Sequence, residues 1–99
     1  MARLDVRRGR ATGKLFLEVQ ADRFSYLKTR LVVPLSLEED VPDRAGALHP
    51  SMVVRGEAMV LVTHLAVAVP VGDLGEVVAT LADDDYRIVT ALDTLIGTA

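Results

Sequence analysis

Two histidines are the only imidazoles in this 99-residue chain, His49 in "LHP" and His64 in "VTH". Each is a candidate general base, because an imidazole titrates near neutral pH. A base needs a nucleophile beside it. Ser25, Ser36 and Ser51 fall in loop-like stretches, and no G-x-S-x-G turn presents one of them at a strand-to-helix elbow. The run Asp83-Asp84-Asp85 offers carboxylate oxygens of the kind divalent cations take. Consecutive residues at a helix start point in different directions, however, and an N-cap with a dipole-matched first turn accounts for all three. "RRGRATGK" (7–14) has glycines and cations but departs from G-x-x-x-x-G-K-[ST] and lies in no strand-to-helix context, so it reads as a solvated hairpin tip. There is no Cys, which removes disulfides, thiolate zinc sites and cysteine nucleophiles together. These residues point to no catalytic centre, no metal and no cofactor.

Charge is the more informative signal. Residues 1–30 carry eight Arg or Lys against three Asp or Glu, and residues 31–99 carry three against eleven, within a net charge of −3. A basic third facing an acidic remainder suits electrostatic docking of an acidic partner, with Arg7, Arg8 and Arg10 as contacts by charge alone. Overall acidity, with no basic residues interleaved with aromatics, argues against nucleic-acid binding. The longest apolar run, "AMVLVTHLAVAVPV" (58–71), falls short of the roughly 20 residues a membrane helix needs. It also contains His64 and Pro70, so it reads as buried strand. "MARLDVRRGR" is charged with no apolar stretch behind it, which is not a secretory leader. A cytoplasmic location is the expectation.

The elements that position these residues follow from periodicity. The hydrophobic fraction is 51% but aromatics are only 4%, so the core must be aliphatic, and the length suits a single domain over 1–99. "LFLEVQ" (15–20) alternates as a half-buried strand and should pair with the run around Leu4 and Val6 through "RRGRATG" as loop. "ADRFSYLK" reads as loop. "TRLVVPL" (29–35) reads as a strand with Pro34 near its end or on an edge and Leu35 leaving the sheet. Two prolines and four acidic residues make 36–50 a surface excursion with one short helical turn. "SMVVRGEAMVLVTH" predicts a hairpin turning at Arg55-Gly56-Glu57, with 51–54 pairing with 58–62. In "HLAVAVPV", Leu65, Val67, Val69 and Val71 share one face. His64, Ala66, Ala68 and Pro70 form a smaller face open to the helix or a second subunit. "GDLGEVVATLA" stays open between helix and extended chain. From Asp83 a helix is predicted, with Ile88, Ala91, Leu92, Leu95 and Ile96 at helical spacing. Strands followed by one helix make an α+β fold.

The ordered set "LFLEVQAD" (15–22), "RLVVPL" (30–35), "LHP" (48–50), "VVRGE" (53–57) and "VPVGDLGE" (69–76), with the helical tail, resembles the CcdB family of toxins from toxin–antitoxin modules. The likeness runs over about the last 85 positions. It implies an SH3-like antiparallel β-barrel core, a small accessory sheet, a C-terminal α-helix and a homodimer. It also implies a non-enzymatic poison of DNA gyrase that presents its helix ends to the gyrase A subunit and is withdrawn by a cognate antitoxin. The family ends in Trp-Gly-Ile; here Gly97, Thr98 and Ala99 stand at those positions, Asp93 replaces an Asn, and Arg23 and Phe24 replace an aliphatic pair. Loss of a buried aromatic anchor typically costs about 2–4 kcal/mol, a factor of roughly 30 to 1,000 in affinity. The competing readings are a divergent paralogue that binds antitoxin without poisoning gyrase, and a ribonuclease toxin on the related barrel fold.

Overall fold

The computed structural model describes residues 2–98. Alternation of apolar and polar residues gives seven strands: β1 (Asp5–Gly9), β2 (Leu15–Glu18), β3 (Thr29–Leu37), β4 (Ser51–Val54), β5 (Glu57–Leu61), β6 (Val67–Pro70) and β7 (Leu74–Thr80). A single helix, α1 (Asp85–Ile96), follows them. The strands form one antiparallel sheet in the order β4-β5-β3-β2-β1-β7, with β6 pairing off this path on β3. The curled sheet and its one helix are the expected α+β, barrel-like arrangement.

β3 is the pivot. Its first half pairs with β6 (Leu31 opposite Ala68) and its second half with β5 (Leu35 opposite Leu61), while β2 runs along its other side. Pro34 therefore sits mid-strand, not at an end or edge as its missing N–H suggests. On the side where β3 changes partner, between its β6 and β5 pairings, the Pro34 carbonyl accepts from the Val62 N–H (2.9 Å) and no ladder bond needs a donor from the ring nitrogen. Leu35 likewise stays in the sheet, opposite Leu15, and the strand runs on to Leu37.

Register aligns Val6, Leu17 and Val33 as one fully buried row, and Leu35, Leu61, Met52 and Met59 extend it. α1 closes this core with Ile88 and Ala91, both 0% exposed, and with Leu92 packed against the cluster. The β4–β5 hairpin turns at Arg55 and Gly56, both at positive φ (53° and 81°), the two-residue geometry that matches strand twist. Residues 74–80, left open by sequence, are strand: Gly75 lies against β1, where a Cβ would stand 2.8 Å from the Arg8 carbonyl oxygen. The 36–50 excursion holds two short 3-10 turns, Glu38–Asp40 and Gly46–Leu48, rather than one.

Candidate functional site

α1 buries Ile88 and Ala91 and packs Leu92 on the core, but its burial stops before the last turn. Leu95 is 38% and Ile96 70% exposed, so the last turn carries aliphatic side chains that this chain does not cover. Gly97 ends the helix in the left-handed conformation (φ 85°). Its N–H donates to the Thr94 carbonyl, and the Thr98 N–H donates to the Asp93 carbonyl (2.9 Å). This double bond to the last carbonyls is a Schellman close, and it favours Gly because any Cβ is strained there. Gly97 is thus first a helix stop. Asp93 is half-buried and gives its carbonyl to that stop, Thr98 is exposed, and Ala99 lies outside the described residues.

Arg23 and Phe24 lie together on the 3-10 turn Asp22–Phe24, with the Arg23 guanidinium 4.9 Å from the Phe24 ring centroid. The pair stacks on itself, an exposed cation–π contact. The three cations of the first hairpin do not share a fate. Arg7, in β1 and not in a loop, is buried, with Nε donating to the Gly75 carbonyl (2.6 Å) and Nη1 3.6 Å from Glu18. Arg8 is half-exposed and 3.5 Å from Glu76, and Arg10 is exposed at the head of the loop. Arg8 and Arg10 therefore lie at the surface, and Arg7 does not.

Arg7 belongs instead to a buried triad. Glu18 and Arg30 are 3% and 5% exposed, and Arg30 Nε stands 3.7 Å from the Glu18 carboxylate. Arg30 also donates to the carbonyls of Leu27 and Ser25, folding the 22–28 loop over the sheet. Composition hid this arrangement, although Arg7 opposite Phe16 and Glu18 opposite Val32 place both charges on one face once register is known.

The aspartate run does not cap α1 through a side chain. Asp85 makes a bidentate pair with Arg3 (2.8 and 3.2 Å), which holds its carboxyl below the usual range, and Asp84 pairs with Arg87 (3.4 Å). Among the described residues no three His, Asp or Glu side chains are grouped to hold a metal, and no helix is long and apolar enough to cross a membrane.

The histidines come together across the fold. The Ala45 N–H donates to His49 Nδ1 (3.0 Å), so the His49 proton lies on Nε2, 2.8 Å from His64 Nδ1. This network assigns His64 its proton on Nε2 as well. Burial first, and the neighbouring His64 second, pull the His49 pKa down. Both ring nitrogens of His49 are committed, so it is a structural tie rather than a free base.

The family description "CcdB protein" matches residues 4–97. The chain belongs to the CcdB family. No curated protein matches the sequence significantly. Among 39 matching solved chains, one described as an endoribonuclease in complex with its cognate antitoxin from mycobacterial species aligns with a TM-score of 0.80. It is 19% identical, and the match covers 100% of this chain and 97% of that one. At that identity the likeness speaks for the fold. In this CcdB-family chain Gly97 takes a left-handed conformation that a side chain would strain to adopt, and Ile96 is the last apolar residue before that stop.

Proposed function

We propose that this CcdB-family chain is the toxin of a toxin–antitoxin module, acting as a homodimer that binds the DNA gyrase A subunit through the last turn of α1 and catalyses no reaction. The observation that carries this reading is the uncovered aliphatic end of α1, with Ile96 70% exposed immediately before a built helix stop. A solvent-facing turn of that composition suits a protein contact. Ile96 supplies the apolar anchor where the family uses an aromatic, and the weaker anchor implies weaker poisoning than the family norm. Leu31, Leu65 and Val67, exposed along the β3–β6 side, support pairing of two copies. Arg8 and Arg10 suit an acidic antitoxin segment, and the neighbouring structure, described in complex with its cognate antitoxin, supports a partner protein.

The neighbour's description as an endoribonuclease favours a second reading, RNA cleavage. His49 gives it little support, since neither ring nitrogen is free to accept a proton from substrate. Induced expression separates the alternatives. The proposal expects growth arrest with broken DNA and intact RNA, relieved by the co-expressed antitoxin. Arrest with cleaved RNA establishes the nuclease, and normal growth the non-toxic paralogue.

A further inference from the structure

α1 rests on two of the short 3-10 turns, Gly46–Leu48 and Thr63–Leu65. These turns are distant in sequence, and a side-chain pair joins them: His49 follows the first and His64 lies in the second, with ring centroids 5.0 Å apart and an interplanar angle of 64°. The first turn has little else to hold it. No residue from Glu38 to Leu48 is buried, and Arg44 bonds only to Glu38 and Ser51, which flank the segment. Among the described residues the His49–His64 bond is the one hydrogen bond that carries 39–49 beyond those two flanking residues. A segment with so few buried contacts opens on its own, ahead of the sheet. The two bonds run in one direction, from the Ala45 N–H to His49 Nδ1 and from His49 Nε2–H to His64 Nδ1. A proton added at Nδ1 of either ring sets donor against donor, and no tautomer of His49 then satisfies both neighbours. No carboxylate stands ready to answer the added charge. The charged and titratable groups lining the groove beside His49 are Glu38 and Arg44 from its own segment and Tyr86 and Arg87 from α1. Glu38 is engaged by Arg44 and Ser51, and Arg87 by Asp84.

We propose that the His49–His64 pair is a proton-operated clasp on the seat of α1: one proton on either ring frees the 39–49 segment and loosens the helix while the sheet stays folded. Imidazole is the side chain whose charge changes in the range where such a clasp would act, and paired histidines are a recurrent way of building one. With the Gly46–Leu48 turn free, α1 keeps the Thr63–Leu65 turn and the core beneath Ile88 but loses one of its supports. The exposed Ile96 and the Gly97 stop ride on that helix, so acid would weaken whatever contact the tip makes. This last consequence rests on the proposed contact at the tip. The loosening of α1 does not, and it is measured without a partner.

The test is amide hydrogen exchange of the full chain at pH 7.5 and 5.5, corrected for the intrinsic rate and read at low urea, where opening is local. Acid should speed exchange in 45–49 and in α1 about tenfold, the effect of stranding one buried donor. The β1–β2 loop, where the Gly13 N–H donates to the Gly9 carbonyl far from either histidine, should not change. His64→Ala alters an exposed side chain, so the fold should survive; both segments should already exchange faster at pH 7.5, and the acid response should shrink. His49→Phe should abolish the response. Arg44→Gln cuts the bonds to Glu38 and Ser51 without touching the imidazoles and should keep the response in full, which a merely structural role for the segment does not predict. Unchanged exchange of α1 at pH 5.5, equal acceleration in the β1–β2 loop, or a full wild-type response in His64→Ala overturns the proposal.

Discussion

Acidification from pH 7.5 to 5.5 should destabilise the fold through one group. His49 is buried, accepts a hydrogen bond at Nδ1 and donates one at Nε2, so no site on its ring takes a proton without breaking a bond. Its folded pKa lies below the ordinary 6.5. The unfolded chain therefore binds the proton first as pH falls, and stability rises with pH wherever the unfolded state holds more protons. The contribution is complete above the unfolded value and fades as pH drops through 6.5 toward the folded pKa. Forcing the proton on would break at least one hydrogen bond and strand a buried donor, about 1–3 kcal/mol. For a chain of this length each kcal/mol lowers the melting temperature by about 4–8 °C. Burial raises the Glu18 carboxyl toward this window, so comparison with a His49 variant is what isolates the histidine. Thermal melts at half-unit steps, on wild type and His49→Phe, make the assay. The variant should be about 1–3 kcal/mol less stable at pH 7.5, with its Ala45 N–H unsatisfied, and should lose most of the slope. A wild-type melting temperature flat across the window, or an unchanged slope in His49→Phe, refutes the reasoning.

Three further outcomes follow from the packing. Arg30→Met removes one counter-charge from buried Glu18 and frees the Ser25 and Leu27 carbonyls; urea unfolding should show a loss of about 3–5 kcal/mol, and a loss under about 1 kcal/mol would contradict the triad. Gly75→Ala drives a Cβ against the Arg8 carbonyl and should cost about 1–3 kcal/mol by the same assay, with an unchanged midpoint as the contrary result. Gly97→Ala forces a side chain into positive φ and should cost about 1 kcal/mol, with lost helical circular dichroism, whereas Gly97→Asn should be milder.

Much of this was legible in residue order. Alternation located β2 and the β4–β5 hairpin, because a half-buried strand and a tight turn each leave a local mark, but the turn read as Arg55-Gly56-Glu57 is one residue shorter, with Glu57 in β5 opposite Val54. The α1 face was legible through Ile88, Ala91 and Leu92 for the same reason. What stayed hidden depends on register between distant segments. Pro34 looked like a strand end until the exchange of β6 for β5 beside it was known, and Arg7 looked like a solvated cation until Glu18 and Arg30 were placed on its face. The aspartates read as caps because composition cannot reveal that Arg3 reaches Asp85. His49 and His64, weighed separately as bases, became a pair only in three dimensions.

The account rests on the exposed end of α1 acting as a contact for gyrase. The direct measurement is a DNA cleavage assay with purified gyrase, comparing the wild-type chain with Ile96→Lys, a surface change that leaves the core untouched. The account predicts that wild type accumulates cleaved DNA and that the variant, equally stable, does not. Cleavage by neither protein, or equal cleavage by both, contradicts it.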